Sequence, residues 1–380
     1  MIYLDHSATT PLDERVLEAM LPWLRDNFGN ASSIYQSGRA ARLAIEDARA
    51  EVAQLIGAHP AEVIFTSGGT ESNNAVIHSC AMESGLVDHI AYSAIEHHAV
   101  IHPAQAMQRL GIDVSEIRVG TDGRVVLEDL ATYNRARQLV CVMHINNETG
   151  TVQPLADIRA SIPDALLHTD AVQSFGKVPV HLSNLGVDFA TISGHKINGP
   201  KGVGALFIRK GIDFKAHQQG GGQERNRRAG TEPVALIVGL QHAARYAVQE
   251  MVQNVRSMQQ LIDRLEAGLR AHVPLIHVNT PVEGRAPHIL NVSFEDAADL
   301  DGEAILQMLD MRGVAVSNGS ACVSGSLQAS HVLLALGRDK AEAKAAIRCS
   351  VGKGTTEQEI DQAIAIITDV IRRLRVTTHN

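Results

Sequence analysis

The 380-residue chain predicts an α/β fold, with a large domain on an open, mostly parallel sheet and a smaller α+β domain beside it. Three observations carry that reading. Short apolar runs alternate with amphipathic stretches of helical period through the first part of the chain, the pattern of strands joined by helical crossovers. A long stretch of helical period then separates this region from a last part with two further strand candidates. The composition is 45% hydrophobic with no low-complexity tract, enough to bury a large core and a second, smaller one.

In chain order the strand candidates are 62–67 (EVIFTS), 89–94 (HIAYSA), 138–145 (QLVCVMHI), 165–170 (ALLHTD), 187–193 (VDFATIS) and 202–209 (GVGALFIR). Helical patterns such as 39–56 lie between most of them. From 233 to 271 the period is helical, with Leu240, Ala243, Ala244 and Ala247 on one face, so a long helix is expected to lead out of the large domain. Beyond it, 288–294 (HILNVSF) and 345–352 (AAIRCSVG) are strand candidates among helices. The expected division is a large domain over 14–255 and a small domain made of 1–13 and 256–380. The sequence contains no internal repeat.

Composition narrows the function classes. A net charge of −8 and a pI near 6.1 give no positive field for a polyanion, so nucleic acid and anionic membrane are not expected as direct partners. The basic run at 225–228 (RNRR) reads as a loop. No stretch reaches the roughly 18 uninterrupted apolar residues that span a bilayer, and MIYLDHSATT lacks the basic start and apolar centre of a signal peptide. The expected location is the cytoplasm. Cys80, Cys141, Cys322 and Cys349 are far apart with no CxxC pair, which argues against a zinc site or a disulfide framework.

The chemistry gathers at predicted strand ends. Lys196 lies in SGHK just past 187–193, and Asp170 and Gln173 stand at the end of 165–170. Ligands of open parallel sheets sit at that carboxyl edge. A lysine amine that can bond an aldehyde and a carboxylate that can keep a ring nitrogen protonated are what pyridoxal 5'-phosphate asks of a protein. The same pair also reads as a surface lysine beside a capping aspartate. In SGGTE, Gly68 and Gly69 turn a strand into a helix start, where free amides favour phosphate, so Gly69, Thr70 and Ser193 form a candidate phosphate cup or a plain turn. His97, His98 and His102 offer three readings. His98 and His102 have i,i+4 spacing for a metal but lack a third ligand, the cluster suits surface or capping roles, and one imidazole suits stacking on a flat ring while moving protons. Asn147, in HINNETGTVQP, fits either a turn or a contact to a carboxylate or ring oxygen. Arg348 offers a guanidinium fork for a carboxylate, or an ordinary strand position. Cys322 lies in NGSACVSGS, a run of small residues expected to move, whereas Cys80 and Cys141 sit inside apolar patterns and read as structural.

Taken together and in order, the blocks YLDHSATTP, SGGTESNN, EHHA, NNETGTVQP, HTDAVQSFGK, SGHKINGPKG, GGGQERNRRAGTE, NGSACVSGS, SHVLLALG and IRCSVGKGTT resemble the cysteine desulfurases, the NifS and IscS group of fold type I pyridoxal phosphate enzymes. The resemblance covers almost the whole chain and implies a seven-stranded, mostly parallel sheet flanked by helices in the large domain, with the cysteine loop on the small one. It implies that Lys196 bonds the cofactor, Asp170 pairs with its ring nitrogen, Gln173 faces the ring hydroxyl and His97 stacks on the ring. It also implies that Thr70, Ser193 and His195 hold the phosphate, that Thr231 comes from the other subunit of a homodimer, and that Asn147 and Arg348 bind the substrate carboxylate. Cys322 matches the cysteine that carries the persulfide. L-Cysteine would yield L-alanine, and a sulfur-acceptor protein of the scaffold or tRNA-thiolation type would take the sulfur. Two departures stand out. Ala31 and Tyr35 replace proline and histidine of the family's GNPSSxH, so contacts near the mouth of the site are expected to differ, and the chain stops soon after a helix at 357–374, short of the tail that IscS-type members use to hold their scaffold. A selenocysteine lyase or class V aminotransferase on the same fold, a non-catalytic sulfur-trafficking protein and a metal-dependent hydrolase are the rival classes.

Overall fold

The structure, a computed structural model, describes residues 1–319 and 328–378. The early apolar runs form β1 (Ile2–Tyr3), β2 (Val63–Thr66), β3 (His89–Ser93), β4 (Asp113–Ile117), β5 (Gln138–Cys141), β6 (Leu166–Asp170), β7 (Phe189–Ser193) and β8 (Gly204–Ile208). All but β1 join one seven-stranded sheet in the order β2-β8-β7-β6-β5-β3-β4. The strands from β7 to β4 run parallel, and β8 is antiparallel to both β7 and β2. This is the mostly parallel sheet that the sequence predicts.

Period-two alternation sends side chains to two cores. Ala190, Ile192, Ala205 and Phe207 pack with Val16, Met20, Ile45, Leu240 and Ala243 from the helices Glu14–Arg25, Gln36–Leu55 and Val234–Gln249. Phe189, Leu206 and Ile208 pack on the opposite face with Val76, Ile77, Val100 and Ala104 from Gly69–His78 and His98–Gln108. Burial on both faces explains why these strands read as continuous apolar runs.

A third core gathers the remaining strands. β9 (Ile276–Val278), β10 (Ile289–Phe294) and β12 (Ile347–Ser350) form an antiparallel sheet in the order β12-β10-β9, and β11 (Val314–Ala315) pairs in parallel with β1. Leu4, Leu261, Leu265, Leu290, Val292, Ile347, Ile360 and Ile367 share one apolar cluster, so the first residues of the chain pack with its last part.

The expected long helix over 233–271 is two helices, Val234–Gln249 and Met251–His272, separated at Glu250 where ψ falls to 0°. The first buries Leu240 and Ala243 on the large sheet, and the second turns Met258, Leu261 and Leu265 into the other core. Among the described residues, no helix is long and apolar enough to cross a membrane.

Candidate active site

Two reversals around β8 return β2 to the direction of β7, so the C-terminal ends of β2, β3, β5, β6 and β7 open at one edge of the sheet. Each end delivers polar groups. After β2, Gly68 takes φ +148°, a conformation open to glycine, and helix Gly69–His78 starts at once without a side-chain cap. A Cβ on Gly69 would stand 3.0 Å from Val172 Cγ2, so glycine lets this helix start lie close to the end of β6. Its first-turn N–H groups and dipole favour an anion, and Ser193, buried at the end of β7, stands beside them. Arg228 and Glu71 pair at 2.8 Å, and Glu71 accepts from the Ser67 N–H at 2.8 Å, which fixes the turn.

Asp170 closes β6 and is buried. Its Oδ2 accepts from Asn73 Nδ2 at 2.7 Å and its Oδ1 from the Val172 N–H at 2.9 Å, so both oxygens are oriented. Lys196 ends the short turn Gly194–Lys196 after β7, and its Nζ donates to Ala8 O at 2.7 Å and to Ser7 O. Burial pushes this amine down to about 8, helped by the positive charge of Arg348 and opposed by Asp170 and Asp5.

His97 is the N-cap of His98–Gln108, accepting from the Ala99 N–H through Nδ1 at 3.0 Å. The cap therefore puts the proton of the neutral ring on Nε2. Burial holds the ring below the usual histidine range, with Asp170 opposing and Lys196 assisting. The residue that caps this helix also lines the cavity. His98 and His102 stack at 4.7 Å, and among the described residues no group of three or more His, Cys, Asp or Glu is placed to hold a metal ion.

Gln173 Nε2 donates to Ser7 O at 2.8 Å. His195 approaches Thr9 Oγ1 at 3.2 Å and is pushed down to about 4 by burial, then by Lys196, Lys201 and Lys177. Arg348 on β12 donates from Nη1 to Asn147 O at 3.0 Å and from Nη2 to Asp5 Oδ1 at 2.5 Å, while its buried Nε has no partner among the described residues. Gly69, Thr70, His97, Asn147, Asp170, Gln173, Ser193, His195, Lys196 and Arg348 all line one cavity of about 400 Å3. Thr231 is exposed and does not line it, and Cys322 lies outside the described residues.

The family model of aminotransferase class-V matches residues 2–363. This chain belongs to that family. Among the relatives of this class-V aminotransferase family member is the cysteine desulfurase IscS of Dictyoglomus turgidum, 43% identical over 378 residues that cover 98% of this chain and 95% of that protein. Among solved structures, a NifS-like protein matches with a TM-score of 0.91 and 37% identity over 98% of this chain and 99% of its own. SspA in complex with cysteine matches with a TM-score of 0.81 and 33% identity over 93% of this chain and 99% of its own. The sequence blocks that resemble NifS and IscS proteins are thus those of the family found.

The described cysteines of this class-V member, Cys80, Cys141 and Cys349, are all buried, and burial pushes each thiol up, Cys349 to about 12. None is a ready thiolate. Tyr35, expected to alter contacts near the mouth of the site, precedes helix Gln36–Leu55 at 54% exposure and does not line the cavity of its own chain. Sequence reading missed Ser7, Ala8, Asn73, Met143, Ser317 and Gly319, which also line it. Asn73 had a signal, since it stands one helical turn beyond Gly69 and so faces the same way. Ser7 and Ala8 act through carbonyls, which leave no mark in a sequence.

Proposed function

We propose that this protein is a pyridoxal 5'-phosphate-dependent cysteine desulfurase that converts L-cysteine to L-alanine and carries the sulfur as a persulfide on Cys322. The observation that carries the reading is the meeting of Lys196, Asp170 and His97 on one cavity, in a chain whose relatives include a cysteine desulfurase.

The residues fit the cofactor. Asp170, oriented by Asn73 and the Val172 N–H, suits a protonated pyridine nitrogen. The uncapped helix start with Gly69 and Thr70, together with Ser193 and a neutral His195, suits a phosphate. Gln173 suits the ring oxygen, and His97 suits the ring face. When bound, the cofactor supplies an aldehyde for Lys196 and a ring that takes up the electrons released when the substrate loses its α-proton.

The remaining work belongs to the chain. Lys196 Nζ, with its lowered proton affinity, takes and returns the α-proton, and His97 Nε2 is a second carrier. The Asn147 side chain and Arg348 hold the substrate carboxylate, for which the unpaired Arg348 Nε leaves one donor. Cys322 Sγ, as thiolate, attacks the substrate sulfur. The S–S bond forms as the Cβ–S bond breaks, and the electron pair left on carbon is protonated to give alanine. One thiol and one cysteine thus become one persulfide and one alanine, with no outside oxidant.

The proposal extends to a cytoplasmic homodimer in which Thr231 serves the partner's site, and to a large domain over 14–255 with a small domain of 1–13 and 256–380. The separate apolar clusters of the two regions support that division. A sulfur-acceptor protein takes the persulfide sulfur, and the IscS name of a relative favours an acceptor in iron-sulfur assembly over one in tRNA thiolation. The test is Cys322→Ala, assayed by visible spectrum and by alanine release. The variant should keep the bound chromophore and respond spectrally to cysteine, yet release no alanine. Full cysteine turnover by that variant would overturn the proposal.

A further inference from the structure

We propose that His288 is a positioning residue for the same reaction, clamping the Gln173 amide so that one of its N–H groups is held toward the cavity. The inference rests on the cofactor reading above. Gln173 contacts two groups of the chain, and they differ in kind. Ser7 O, a carbonyl, only accepts, so the Gln173 atom 2.8 Å from it must be the amide nitrogen. The amide oxygen is then the atom that meets His288 Nε2 at 3.4 Å, and for that contact to bond, Nε2 must carry a proton.

The surroundings of His288 enforce that tautomer. The residue precedes β10 and is fully buried. Burial holds its imidazole well below the ordinary range, and the positive or titratable groups around it, Lys177, His6, Arg348 and Lys196, all push the same way. The ring is therefore neutral and has a single N–H. Its Nδ1 has no partner among the described residues, so a proton there would be an orphaned buried donor, whereas a proton on Nε2 is bonded. Both ends of the Gln173 amide are thus tied, the nitrogen to Ser7 and the oxygen to His288. Its second N–H remains for the cavity that Gln173 lines. Ser7 O is also the acceptor for Lys196 Nζ, so a shift of the amide would be felt at the lysine.

The consequence is chemical. A donor to the ring oxygen of the bound cofactor draws charge from that oxygen, which otherwise attracts the proton at Lys196 Nζ. Loosening the donor should hold that proton to higher pH. The test is a pH titration of the visible band of the loaded protein for wild type, His288→Ala, His288→Gln, Gln173→Ala and the double variant. We expect His288→Ala to raise the midpoint by about one pH unit, the scale of one hydrogen bond to a charged group. His288→Gln, which restores an N–H, should bring the midpoint back toward wild type, and His288→Ala should add nothing in the Gln173→Ala background. Should His288→Ala fail to fold, His288→Phe, which keeps a ring without an N–H, should show the same rise. The inference is overturned if the ring-deleted or N–H-deleted variant titrates with wild type, or if its shift persists undiminished in the Gln173→Ala background. A wild type with no visible band would instead sink the cofactor reading itself.

Discussion

If Lys196 bonds the cofactor as proposed, this single side chain sets the pH at which the cofactor is captured. Only its free amine bonds an aldehyde, and burial brings the change from ammonium to amine down from its ordinary 10.5 to about 8. Raising the pH through that value removes the proton and supplies the nucleophile. The rate of cofactor capture by the cofactor-free protein should therefore climb with pH around a midpoint near 8. Arg348 contributes to the lowering, so Arg348→Ala should move the midpoint upward. Rapid-mixing absorbance across a pH series checks this, and an unmoved midpoint in the variant would remove Arg348 from the account. At this scale the sequence is highly legible for charged groups that interrupt an apolar run, as Asp170 and Lys196 do. It is silent on the carbonyls of Ser7 and Ala8, because every residue carries one.

Among elements, the buried pair of Arg49 and Glu224 has the clearest structural consequence. Arg49 Nη1 and Nη2 donate to the two carboxylate oxygens at 2.6 and 3.0 Å, both side chains are buried, and Glu224 also accepts from the Phe65 N–H at 2.9 Å. The pair pins 224–226, where three successive non-glycine residues have positive φ, against β2. This is the region expected from sequence to be a basic loop, and its shape depends on an acid that the basic run does not advertise. Arg49→Met would strand the carboxylate, so it should cost about 3–5 kcal/mol and lower Tm, with Glu224→Met added to it recovering part of the loss. Thermal denaturation of the single and double variants decides the matter, and an unchanged Tm in Arg49→Met would refute it. Some features escaped the sequence reading for plain reasons. β4 (DVSEI) is an edge strand with polar, partly exposed residues, so it shows no apolar run. The break at Glu250 carries neither glycine nor proline, while Glu250 itself is held by Arg15 at 2.8 Å and Lys353 at 2.7 Å, long-range partners that no local pattern reveals.

For the whole molecule, the decisive question is whether Thr231 serves a neighbouring copy, since it is exposed and away from its own cavity. If it does, chains carrying Lys196→Ala and chains carrying Thr231→Ala, each impaired alone, should regain activity when unfolded and refolded together, because each mixed pair contains one intact site. Sizing of the native protein should find two copies, and mixed refolding without recovery would argue for independent sites. The overall architecture was readable because strands buried on both faces and crossover helices each leave a period, whereas the pairing that ties the first residues to particular late ones leaves none. The pairing of β1 with β11 and the contact of Asp5 with Arg348 are two such ties. Those last two residues are 343 positions apart. A ribosome making this chain cannot finish the pocket until nearly all of it has been translated, so a prematurely terminated product would lack the Arg348 guanidinium in its wall.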